Sequence, residues 1–263
     1  MVERTRAHER LVPETRSDPD PIDLVAHFHG AEWLAEQSVA RLADGRVSAV
    51  VNLGAGSGSY DRAFADPAAF DSLLAGVVRE VGGVRGTRPR LGTVTLSGFS
   101  AGHGAIRAIL REPRHFARVD AVLLLDGMHT AYLPESRPLA DGGTLDPSHL
   151  LAFREFAQAA MRGEKSFLIT HSEIFPGTFA STTETADWLL DALELRRTAL
   201  LSWGPRGMQQ LSEVRRGRFI LRGFAGNSAP DHVDHFHAMP EVLAEVLAEV
   251  LAKNTAQSAH GSG

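Results

Sequence analysis

The feature that most limits what this chain can fold into is a rhythm. Short, nearly continuous apolar runs alternate with longer stretches whose apolar residues recur at helical spacing. Ile22–Phe28, Arg46–Leu53 and Leu91–Leu96 read as strands, each followed by a helical stretch, Ala31–Leu42, Ala68–Val81 and Ala101–Leu110. The second half continues with strands at Val119–Leu125, Ser166–Thr170 and Arg218–Gly223, and helices at Pro147–Met161, Thr182–Leu195 and Pro240–Ala252. Apolar strands separated by helices need cover on both faces, which predicts a mostly parallel sheet between helical layers, an α/β fold. No repeat, low-complexity tract or linker interrupts the pattern, so residues 1–263 are expected to form a single domain. Its irregular parts are residues 1–21, where only Ala7–Val12 resembles a short edge strand, and a tail at 255–263 expected to be flexible. Residues 127–146 are polar, Pro-bearing and aperiodic, a loop with the makings of a small cap.

Composition narrows the function by exclusion. A chain of 263 residues that is 43% hydrophobic can bury one sizeable core. Its 27 basic and 32 acidic residues are well mixed, with neither a basic stripe for nucleic acid nor an acidic tail. The absence of cysteine removes disulfides, thiolate catalysis and Cys-type zinc sites together. Neither a signal-peptide core nor an apolar run of ~18 residues is present, so the expectation is a soluble protein without a membrane span, cytoplasmic unless a leader has been removed.

In open parallel sheets, ligands bind beyond the carboxyl ends of the strands. One such end carries Gly98-Phe99-Ser100-Ala101-Gly102, a G-x-S-x-G pentapeptide between a predicted strand and a predicted helix. A serine forced into that sharp turn has its hydroxyl exposed above the sheet, and the flanking glycines let neighbouring backbone pass. The new helix directs free N–H groups at the same point, where Ala101 N–H is placed to bind a developing oxyanion. Ser100 is therefore the candidate nucleophile.

With these residues the chain resembles the α/β-hydrolase superfamily of serine hydrolases, esterase- or lipase-like, from roughly Ile22 to Leu251. Leu24-Val25-Ala26-His27-Phe28-His29-Gly30 is similar to the strand ending in His-Gly that supplies a second oxyanion N–H, which the resemblance assigns to Ala31 or Glu32. His29 would brace that loop. The resemblance places the catalytic histidine after the last strand, where His232, His235 and His237 compete, in that order of preference. The acid is Asp126, at the end of Val122–Leu125, or Glu173, after Phe167–Thr170. The usual superfamily position favours Glu173; Asp126 is preferred for its place directly at a strand's carboxyl end. Trp33, Tyr60, Met128, Tyr132, Phe175, Trp203 and Met208 fall in or near loops and are candidates to line an acyl pocket, with His29 and Phe99 as further substrate contacts.

The implied function is hydrolysis of a small-molecule or polymer carboxylic ester through an acyl-enzyme, with no cofactor. Amide or peptide hydrolysis on the same triad, and a catalytically silent binding protein, are the alternatives. The Asp231, His232, Asp234, His235, His237 cluster has donor types suited to zinc but no H-E-x-x-H helix, so no metal is expected. Gly54–Gly58 lacks the G-x-G-x-x-G spacing and a Walker lysine, and reads as a flexible loop near the active site.

Overall fold

The computed structural model of the protein describes residues 21–260, and side chains as far as residue 250. The expected edge strand at Ala7–Val12 lies outside the described residues. In chain order the strands are β1 Ile22–Phe28, β2 Val47–Val51, β3 Leu91–Phe99, β4 Ala121–Leu125, β5 Tyr132–Leu133, β6 Thr144–Leu145, β7 Ser166–His171, β8 Thr198–Trp203, β9 Gln209–Arg216 and β10 Phe219–Phe224. The helices are α1 Glu32–Ala40, α2 Ser57–Phe64, α3 Pro67–Arg85, α4 His103–Arg111, α5 Pro113–Arg118, α6 Leu151–Met161, α7 Thr182–Ala192, α8 Ala229–His237 and α9 Met239–His260.

Eight strands form one sheet in the order β2-β1-β3-β4-β7-β10-β9-β8. The six from β2 to β10 run parallel, and β9 and β8 extend the sheet antiparallel. This α/β architecture is consistent with the α/β-hydrolase fold. Successive strand residues point to opposite faces, and the strands feed two cores accordingly. From β4, Val122 and Leu124 enter one core with Phe28, Ile106, Phe153 and Phe167. Ala121, Leu123 and Leu125 enter the other, against Val242, Leu243 and Val246 of α9. A strand buried on both faces must be apolar at every position, which is why these runs were legible.

The pattern came out differently in several places, among them the helices α2 and α5, of which α2 opens at Ser57 inside the expected 54–58 loop. Residues 229–237, where no helix was predicted, form α8. The Asp231 carboxylate accepts from Ser228 N–H at 2.9 Å and Ser228 Oγ at 2.6 Å, and this capping pair starts the helix there. Strands β8 and β9 form an edge hairpin without the long buried runs of the inner strands: β8 has only Ala199–Leu201 consecutively apolar and is largely exposed. β9, Gln-Gln-Leu-Ser-Glu-Val-Arg-Arg, buries only alternate residues over most of its length. Residues 255–260, expected as flexible tail, continue the helix α9, and the 127–146 loop contains the small β5–β6 hairpin.

The turn after β3 packs tightly against the neighbouring strand. A Cβ on Gly102 would collide with the carbonyl oxygen of Phe28, and one on Gly98 would lie 3.0 Å from Ile106 Cδ1. Gly102→Ala is expected to cost about 1–3 kcal/mol through this overpacking. A lower urea midpoint with an unchanged m-value checks it.

Candidate active site

Three neighbouring strands, β1, β3 and β4, each end on a non-glycine residue with positive φ: His29 at 70°, Ser100 at 47° and Asp126 at 42°. Such a backbone costs about 1–3 kcal/mol per residue and persists only where its surroundings impose it. At Asp126 those surroundings are explicit. Its carboxylate is 2% exposed and accepts four hydrogen bonds. Ser172 N–H (2.9 Å) and Thr182 Oγ1 (2.7 Å) donate to Oδ1, and Ser172 Oγ (2.7 Å) and His232 Nδ1 (2.7 Å) donate to Oδ2. Burial alone would raise its pKa. The bond from His232, the nearby imidazoles of His235 and His232 and the Ser172 N–H prevail, holding the carboxyl well below its usual range.

A carboxylate only accepts, so the proton of His232 sits on Nδ1 and the lone pair on Nε2. That is the tautomer a general base requires. His232 rests on the Phe99 ring, 4.6 Å between centroids, and Phe99 in turn stacks on Phe236 at 5.0 Å. Ser100, Asp126 and His232 line one cavity of about 320 Å³. No hydrogen bond joins Ser100 to His232 among the described residues, and such bonds are often long until substrate draws the groups together.

Around the hydroxyl, Ser100–Gly102 form a 3₁₀ turn that runs into α4, so the first N–H groups of the turn, Ala101 among them, have no helical partner. On the opposite loop Gly30 N–H is committed to Asn52 Oδ1 at 3.0 Å, and Ala31, next along, is the N-cap of α1. His29 braces this loop. Its Nδ1 lies 3.0 Å from the Tyr60 hydroxyl, and its carbonyl accepts from His27 Nε2 at 2.8 Å.

The structure therefore brings Ser100, His232 and Asp126 together and leaves the alternatives apart. His235 is buried, with Nδ1 2.8 Å from Thr170 Oγ1. His237 is half-exposed beside Asp234, and Glu173 points to solvent with its N–H on the Gly226 carbonyl. Among the described residues, the histidines and acids of 231–237 thus do not converge on one point.

The expected aromatic lining is corrected. Tyr60, Met128 and Tyr132 are fully buried, because large apolar side chains next to strand ends are taken by the core. The Tyr60 hydroxyl receives the Leu53 N–H, and the Tyr132 hydroxyl donates to Glu184 Oε2 at 2.7 Å. Trp33, Phe175 and Trp203 are exposed and Met208 packs in the α9-side core; none of these, nor His29 or Phe99, forms a wall of the cavities at Ser100. The walls are instead polar residues the sequence reading passed over, His103, Arg107, His129, Thr130 and His149, together with Phe179 and Gly56–Gly58, where α2 begins. One signal was available: His103 stands three residues after Ser100, on the same side of the new helix.

Compared with protein-family models and with curated proteins, the chain matches none.

Burial holds several imidazoles neutral: the pKa falls to about 4 at His27, about 3 at His103 and about 4 at His171, from an ordinary 6.5. Between those values and 6.5 the unfolded chain binds protons that the folded chain refuses. The stability these groups contribute is therefore present above pH 6.5 and is lost as pH falls through about 4 to about 3. Urea midpoints measured from pH 7 to 4 are expected to fall steadily, and to fall less steeply in His27→Gln, which removes one of these groups.

Proposed function

We propose that the chain is a serine hydrolase that cleaves carboxylic esters through an acyl-enzyme. The observation that carries the reading is the 2.7 Å bond from His232 Nδ1 to Asp126 Oδ2, made in the cavity that Ser100 also lines. A hydroxyl and a buried carboxylate at neighbouring strand ends, with an imidazole of α8 in the correct tautomer, have the roles acyl transfer requires.

Ser100 Oγ attacks the ester carbonyl carbon while its proton passes to His232 Nε2. The carbonyl oxygen becomes an oxyanion, held by the N–H groups of Ala101 and Ala31. Collapse breaks the bond to the alkoxy oxygen, which takes the proton from His232 and departs as alcohol. Water then adds to the acyl carbon, giving a proton to His232 that returns to Ser100 Oγ as the acid leaves. Ester and water give acid and alcohol, and the protein is regenerated. Asp126 stays ionised throughout and steadies the imidazolium.

Turnover of p-nitrophenyl butyrate and labelling by a fluorophosphonate probe test the reading. Ser100→Ala and His232→Ala are each expected to lower kcat by ~10⁴-fold or more, and non-additively. Asp126→Asn is expected to lower it by about 10⁴-fold. His235→Asn, which keeps a donor near Thr170, is expected to retain most activity. A folded wild-type protein that neither labels nor hydrolyses esters would overturn the proposal.

A further inference from the structure

Two cavities meet at Ser100. The smaller, about 320 Å³, has His232 and Asp126 in its wall. The larger, about 420 Å³, has Arg107 in its wall and no contribution from His232. The inference rests on the hydrolase reading for one step: a leaving group that takes its proton from His232 sits on the His232 side. The acyl chain is then left with the larger cavity.

Arg107 is a cation 6% exposed, and its guanidinium is only half engaged. Nε donates to Asp61 Oδ2 at 2.7 Å, and among the described residues neither Nη1 nor Nη2 makes a hydrogen bond. The buried side-chain atoms that lack a partner belong instead to Thr95, His103, Arg154 and Ser166. Nη1 and Nη2 of Arg107, unpartnered and outside that set, are therefore reached by a water-sized probe, and the residue stands in the wall of the cavity at Ser100. Asp61 offsets the charge in part, because its Oδ2 also accepts from Arg111 Nη1 at 3.4 Å. Asp146, the other carboxylate that acts on Arg107, receives the Ser148 N–H at 2.9 Å and lies 3.9 Å from His149 Nε2.

The helices aim this group. Ser100, His103 and Arg107 follow at i, i+3 and i+7, so they share one side of the turn and α4. Seven residues rise roughly 10 Å, and helical side chains lean towards the N-terminus, which carries the guanidinium back towards Ser100. A Cβ on Gly104 would collide with the carbonyl oxygen of Ser57, so α2 lies directly on α4 and sets Asp61 against Nε. The start of α2, Gly56–Gly58, also walls the cavity, and its first turn carries no acidic residue to offset the positive end of the helix.

We propose that the larger cavity takes an acyl chain ending in a carboxylate, held by Nη1 and Nη2 of Arg107. The substrate class is a half-ester of a dicarboxylic acid, with Arg107 as the specificity-determining residue. The free end of the guanidinium presents two parallel N–H donors that match the two oxygens of a carboxylate. Folding has already desolvated the cation, so binding removes water chiefly from the carboxylate, and a neutral chain of the same shape leaves both donors without that partner.

Esters that differ only in this charge test the proposal. Monoethyl succinate, glutarate and adipate are compared with ethyl 4-oxopentanoate, 5-oxohexanoate and 6-oxoheptanoate, in which a methyl group replaces one carboxylate oxygen. At one chain length or more, kcat/KM is expected to favour the half-ester by about tenfold or more. Arg107→Gln should bring that ratio close to one, and Arg107→Lys, which keeps the charge and loses the fork, should retain part of it. The ratio is internal to each protein, so a variant that is only partly folded still reports it. A second readout needs no turnover: by calorimetry, Ser100→Ala should bind the preferred half-ester about tenfold more tightly than its oxo counterpart. No preference at any length in a protein that hydrolyses the oxo esters, or a preference that survives Arg107→Gln, overturns the inference and leaves the hydrolase reading standing. Selective binding by Ser100→Ala, beside a wild-type protein that hydrolyses no ester and takes no fluorophosphonate label, overturns the hydrolase reading and leaves the cavity's preference for a carboxylate standing.

Discussion

The buried charge of Asp126 is the constraint on which the rest of the site depends. A carboxylate 2% exposed is tolerable only if its lone pairs are met, since desolvating an unpaired ion costs several kcal/mol. Its four donors come from the segment after β7 (Ser172), the first turn of α7 (Thr182) and α8 (His232). Three stretches remote in sequence are therefore fixed around one side chain at the end of β4. The orientation of His232 follows from that demand.

The positive-φ residues at the ends of β1, β3 and β4 belong to the same logic. Their strain is held by contacts that leave little choice. His29 is pinned through its carbonyl by His27 and through its ring by Tyr60. The Ser100 carbonyl is held by His103, and Gly127 packs against it so closely that a Cβ there would clash. The strained positions thus fall where chemistry is proposed, and a packed core beneath the three strands supplies the rigidity that keeps them so.

What could be read from the sequence was whatever obeys a short-range rule. β1 was bounded correctly because all but one of its residues are buried outright, and the Ser100 turn because glycine, serine and glycine alternate at a strand–helix junction. The choice of Asp126 over Glu173 rested on position alone; in the structure Asp126 meets His232 and Glu173 does not. α8 has a weaker signature: Ser228 and Asp231 stand at capping-box spacing, but with the shorter Asp in place of Glu or Gln, and no long apolar stripe follows. The aromatic side chains were misplaced for a different reason. Proximity to a loop in sequence says nothing about which way a large apolar ring turns, and burial decides it.

Several histidines stand in or beside this cleft, and the distribution of partners separates their roles. His103 and His129 each donate from Nδ1 to a carbonyl, and His29 has the Tyr60 hydroxyl. Burial is the largest influence on all three and lowers their pKa, with the nearby His232 adding to this at His29 and His129. Burial thus opposes a proton at each of these three rings. His232 alone among them has its Nδ1 on a carboxylate, so a positive charge gained at its Nε2 is met by Asp126 across one hydrogen bond. In the proposed reaction the proton of Ser100 thus has one imidazole to go to.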